Sequence, residues 1–131
     1  MKILVAEDER DIRELIVFSL RYGGYEVLEV TNGVEALEVA RHEMPDLILL
    51  DVRLPKMKGY QACEKLKDAP ETKSIPVVFI SAKGQEAEIR QGMELGAVAY
   101  IVKPFAPDEL LKQVGDFLKG KVGGKATKDA G

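Results

Sequence analysis

The stretch Leu47-Ile48-Leu49-Leu50-Asp51 decides how this chain is read. Four consecutive aliphatics mark a strand buried on both faces, as in a parallel sheet covered by helices. A carboxylate closing such a strand emerges at the carboxyl edge of the sheet, where open α/β folds place their sites. Two other runs end in matching chemistry. Ile3-Leu4-Val5-Ala6 leads into Glu7-Asp8, and Ile101-Val102 leads into Lys103-Pro104. If these strands are parallel neighbours, three carboxylates and one ammonium converge on one spot. Clustered carboxylates repel one another and need a cation. Oxygen ligands alone suit a hard ion, above all Mg²⁺. An ammonium beside that ion suits a phosphoryl group.

Working outward, strand-like runs fall near residues 3–6, 25–30, 47–50, 77–80 and 99–102, and helical periodicity fills each gap. Ile12, Leu15, Ile16 and Leu20 keep the spacing of one buried stripe, and Gly23-Gly24 ends that helix. Val34, Leu37 and Ala40 mark a second helix, which stops before Pro45. Ala62, Cys63 and Leu66 mark a third. Ile89, Gly92, Met93 and Leu95 mark a fourth, capped by Gly96. Leu110, Leu111, Val114, Phe117 and Leu118 mark a fifth, with Pro107 and Asp108 suited to its first turn. Five βα repeats imply a doubly wound α/β domain: a five-stranded parallel sheet, flavodoxin-like, with helices on both faces. Asp51 and Glu7-Asp8 must share an edge, and the strand order 2-1-3-4-5 satisfies this, with Lys103 reaching inward on its long side chain.

The bulk numbers narrow the class. The chain has 131 residues, enough for one compact domain, with 46% hydrophobic and 31% charged residues. A net charge of −3 and the lack of a basic stripe argue against direct nucleic-acid binding. One cysteine fits a reducing cytoplasm. The first strand begins at Lys2, which leads us to expect no signal peptide, and no apolar run approaches the roughly 20 residues that span a bilayer. Residues 119–131 hold four lysines and one aspartate without an apolar stripe. We expect one folded unit over 1–118 and a flexible lysine-rich tail over 119–131.

This constellation resembles the receiver domain of two-component response regulators, the stand-alone chemotaxis type in particular, over residues 2–118. Glu7-Asp8 resembles the family's acidic pair, and Asp51 the phospho-accepting aspartate. Ser81 resembles the hydroxyl residue ending strand four, and Lys103-Pro104 the lysine and its following proline. Tyr100 resembles the aromatic switch residue of strand five. The run from Asp51 to Gly59, DVRLPKMKG, matches the loop after the phosphorylated strand, although Lys58 stands where an acid is frequent. The resemblance implies an aspartyl phosphate on Asp51 and Mg²⁺ held by Glu7, Asp8, Asp51 and the Arg53 carbonyl. It implies a sensor histidine kinase or phosphotransfer protein as donor. It also implies a downstream protein reading the face of helix 4, strand 5 and helix 5. With no output domain expected after residue 118, the signal would pass by protein contact or onward phosphotransfer. In this family, positions such as Arg53 and Lys83 influence how fast the phosphoryl group is lost.

Each role has a physical basis. Asp51 is a carboxylate nucleophile, Lys103 and Ser81 are donors for phosphoryl oxygens, and Asp8 with Glu7 supplies hard-ion ligands. Plainer readings stand beside them. An Asp after a strand often serves as a turn or cap, and Ser81 and Tyr100 could be ordinary strand residues. His42, the single histidine, suits the end of the second helix, and Cys63 reads as core. Two other classes share parts of the pattern. A haloacid-dehalogenase-like phosphohydrolase needs an Asp-x-Asp after strand one, where this chain has Glu7-Asp8-Glu9. A flavodoxin-like FMN carrier needs a phosphate-cradling loop there, which these acids oppose.

Overall fold

The computed structural model describes the backbone of residues 1–82 and 86–130, and side chains over 1–82 and 87–119. Lys83 and Gly131 lie outside the described residues. The elements alternate in chain order: β1 (Lys2–Ala6), α1 (Arg10–Tyr22), β2 (Glu26–Val30), α2 (Gly33–Glu43), β3 (Leu47–Asp51), α3 (Gly59–Asp68), β4 (Val77–Ser81), α4 (Glu86–Glu94), β5 (Ala99–Val102) and α5 (Pro107–Ala130). All strand pairs are parallel, in the order β2-β1-β3-β4-β5. Register aligns Ala6 with Leu50, Asp51 with Ile80 and Ser81 with Val102. The carboxyl ends of β1, β3, β4 and β5 therefore form one edge.

Successive strand residues point to opposite faces, and each face has its own core. Leu4, Ala6, Ile48, Leu50, Val77 and Phe79 pack against α2 and α3 through Ala36, Leu37, Ala40, Ala62, Cys63 and Leu66. Ile3, Val5, Leu47, Leu49, Val78 and Ile80 pack against α1 and α5 through Ile16, Val17, Leu20, Leu110, Val114 and Leu118. Each fully buried aliphatic contributes about 1.5–3 kcal/mol. This two-sided burial explains why β3 and β4 read as unbroken apolar runs. α4 joins the first face, where a Cβ on Gly92 would crowd the rings of Phe79 and Tyr100. Only glycine lets α4 approach that closely.

Two expectations are corrected. On α1, Leu15 is 39% exposed while Val17 is buried. At 100° per residue the buried sector centres between Ile16 and Leu20, so Val17 falls inside it and Leu15 just outside. Val34 and Met93 are likewise exposed rather than core. α5 runs from Pro107 to Ala130. Among the described residues, no helix is long and apolar enough to cross a membrane.

Candidate functional site

Asp51 closes β3 with its side chain nearly enclosed, the residue being 4% exposed. Its Oδ1 accepts from the Arg53 backbone N–H at 2.9 Å, an Asx-type turn that starts the β3–α3 loop. Its Oδ2 accepts from Lys103 Nζ at 2.9 Å. The loop returns to the strand at once. Gly59 N–H donates to the Val52 carbonyl at 3.0 Å, and a Cβ at Gly59 would overlap the Asp51 carbonyl oxygen. A residue without a side chain is required where α3 begins.

Lys103 follows β5, and its N–H donates to the Ser81 carbonyl at 2.8 Å, extending the sheet by one rung. That rung aims the side chain back along the edge, where Nζ also lies 3.0 Å from Glu7 Oε1. The Lys103–Pro104 peptide is cis. Burial alone would lower the Lys103 ammonium, but its bonds to Asp51 and Glu7 outweigh burial and raise it above the usual lysine value.

Glu7 is fully buried. Its N–H donates to the Val30 carbonyl at 3.1 Å, and its Oε2 accepts from Glu9 N–H at 3.0 Å. Burial first, and the neighbouring Asp51 second, push its carboxyl up to about 7, against the opposite pull of Lys103 and the Glu9 N–H. Oε1 makes no hydrogen bond of sound geometry among the described residues. Asp8 stands exposed beside it, and Arg13 fixes the β1–α1 loop by donating to the carbonyls of Glu7 and Asp8 at 3.1 and 3.4 Å. Glu7, Asp8 and Asp51 each offer one oxygen within 4.8 Å of the others. An all-oxygen set with one under-used buried oxygen fits a hard divalent cation.

Ser81 and Tyr100 lie beside this cluster and are joined through a residue that sequence reasoning missed. Glu88 Oε1, on α4, accepts from Ser81 Oγ and from the Tyr100 hydroxyl, both at 2.8 Å. Tyr60, also missed, places its hydroxyl 2.9 Å from that of Tyr100 and donates to the Glu88 carbonyl at 2.9 Å. Phe79 packs between the two tyrosines, edge-on to Tyr60 at 4.9 Å and tilted to Tyr100 at 5.9 Å. Burial raises both phenols above their usual value. Glu88 sits on the polar part of the α4 pattern, and only a partner seven residues upstream gives it meaning. His42 is exposed in the last turn of α2, and the Cys63 thiol is buried and pushed up to about 11.

A family model described as the response regulator receiver domain matches residues 3–115. The phosphate regulon transcriptional regulatory protein PhoB of Pseudomonas aeruginosa is 44% identical over 112 residues, covering 86% of this chain and 49% of that protein. The chain spans about half the length of the curated relatives it matches. A putative response regulator from Chloroflexus aurantiacus superposes with a TM-score of 0.85 at 35% identity, covering 89% of this chain and 96% of that one. The receiver domain of sensor histidine kinase PA1611 from P. aeruginosa, solved with a magnesium ion in its active-site cleft, gives a TM-score of 0.81 at 28% identity over 93% and 97% of the two chains.

Proposed function

This chain belongs to the response-regulator receiver family, the signalling switches of two-component systems, and on that premise we propose that Asp51 is its phospho-accepting residue. One observation carries the assignment. Of the two buried carboxylates beside Lys103, Asp51 is the one that closes the central strand β3 and hydrogen-bonds Lys103 Nζ at 2.9 Å, within the metal-sized cluster it shares with Glu7 and Asp8. A carboxylate oxygen of Asp51 attacks the phosphorus of a phosphohistidine, or of a small acyl phosphate. The O–P bond forms as the donor's bond to phosphorus breaks and the leaving group keeps the electron pair. Lys103 turns its ammonium from the free carboxylate to a phosphoryl oxygen, and the Ser81 hydroxyl donates to another. Asp8, Asp51, Glu7 and the Arg53 carbonyl would hold Mg²⁺, which supplies positive charge against the phosphoryl oxygens when bound.

Several finer assignments belong to the same proposal. The chain catalyses only its own phosphoryl transfer and the later hydrolysis. The donor is a sensor histidine kinase or phosphotransfer protein in the cytoplasm. Tyr100 carries the change to the α4–β5–α5 face, where a downstream protein reads it. The receiver unit is residues 1–118, with the lysine-rich 119–131 outside it. Intact mass after acetyl phosphate and Mg²⁺ tests the core assignment. Wild type should gain one phosphoryl mass and Asp51→Asn none; equal labelling of both would remove Asp51 from the site.

A further inference from the structure

Ser81 has one hydroxyl proton, and in this structure α4 receives it. Ser81 Oγ donates to Glu88 Oε1 at 2.8 Å, and the same oxygen accepts the Tyr100 hydroxyl at 2.8 Å. A carboxylate is a stronger acceptor than a neutral oxygen, so these are charge-assisted bonds. Glu88 stands in the first turn of α4, where a negative charge is favoured by the helix N-terminus. Tyr60 fixes the backbone at the same place by donating to the Glu88 carbonyl at 2.9 Å. The Glu88 carboxylate is thus held by its own helix and by α3, and it engages both residues expected to respond to phosphorylation.

We propose that Glu88 is a positioning residue that withholds the Ser81 hydroxyl from the phosphoryl site and holds Tyr100 in its resting place. A phosphoryl group on Asp51 must compete with Glu88 for the single Ser81 proton. When it wins, the Glu88 oxygen loses one of its two donors and its hold on Tyr100 loosens. Glu88 therefore sets how readily this receiver leaves its resting form, although it does not touch the reacting atoms. This inference rests on the assignment of Asp51 and Ser81 above and adds a competitor for Ser81.

The test uses beryllofluoride with Mg²⁺ as the phosphoryl mimic, with binding followed by NMR, and the initial rate of labelling by acetyl phosphate. Glu88→Ala should bind beryllofluoride at least threefold more tightly than wild type and label faster. Glu88→Gln keeps an acceptor oxygen without the charge and should fall between the two. It also carries the test should Glu88→Ala fail to fold. Because Glu88 acts through Ser81, the double variant Ser81→Ala/Glu88→Ala should bind no more tightly than Ser81→Ala, a result that a general loosening of α4 would not give. The inference is overturned if the Glu88 variants bind no more tightly than wild type, or if the gain persists without the Ser81 hydroxyl. Wild type that neither gains phosphoryl mass nor binds beryllofluoride overturns the site assignment itself, and the role of Glu88 with it.

Discussion

Lys103 Nζ lies 2.9 Å from Asp51 Oδ2, the contact that ties β5 to β3 across the edge of the intervening strand. Lys103 is the only described cation paired with either buried carboxylate. Lys103→Met should leave Glu7 and Asp51 facing each other without it. Labelling by acetyl phosphate should fall by at least about 100-fold, the scale of losing one charged transition-state donor. Urea unfolding should show a loss of about 2 kcal/mol, typical of hydrogen bonds to charged groups. Near-normal labelling would mean that another donor serves the phosphoryl oxygens.

Glu7 makes the metal-free protein sensitive to pH. Its folded carboxyl is raised to about 7 from an ordinary 4.5. The folded state therefore holds a proton that the unfolded state has released over that interval. Stability is fully present below about 4.5 and is lost as pH rises through 7. The loss should be at most about 3–4 kcal/mol. Urea midpoints in chelator between pH 5 and 8 should fall with pH in wild type and stay flatter in Glu7→Gln. Parallel slopes in the two proteins would contradict this account.

Metal should reverse that loss. Mg²⁺ binding only the folded state stabilises by RT ln(1 + [L]/Kd), about 1.4 kcal/mol at ten times Kd. Thermal melts of wild type should shift upward with Mg²⁺. Asp8→Ala should lose the shift together with phosphorylation, and its metal-free form should be no less stable than wild type because one like charge is gone. A full Mg²⁺ shift in Asp8→Ala would remove Asp8 from the ligand set.

Gly59→Ala forces a Cβ into the Asp51 carbonyl oxygen. Overpacking of this kind costs about 1–3 kcal/mol, and here the displaced atoms belong to the backbone of Asp51 itself. Stability and labelling rate should fall together. A stable variant with unaltered labelling would show that the loop shifts without moving Asp51.

Ser81→Ala should still accept a phosphoryl group at Asp51, while hydrogen exchange over residues 99–105 should respond less to beryllofluoride than in wild type. A response of wild-type size would route the change around the hydroxyl.

The parts legible in sequence were those that repeat or that end a pattern. Buried strands announce themselves as apolar runs, so β3 and β4 were visible, and the acids and lysine at strand ends followed from topology alone. Glu88 and Tyr60 were not legible. Each is a polar residue in a helix, and its role depends on how α3 and α4 pack over Phe79, which spacing along the chain does not encode. The exposure of Leu15 escaped for a related reason, since helical spacing defines a stripe but not which flank the neighbouring helix covers.

The hydroxyls of Ser81, Tyr60 and Tyr100 carry three protons, fewer than the contacts that join them to Glu88 and to one another. Tyr60 cannot fully satisfy the Glu88 carbonyl and Tyr100 together. Tyr100 thus leaves its place by giving up one strong donation, worth about 1.5–3 kcal/mol. A gap of that size corresponds to a minor population of roughly 0.6–7% before any phosphoryl group arrives. A proton shortage of this kind keeps the resting place of Tyr100 shallow, as a switch driven by the phosphorylation proposed at Asp51 requires.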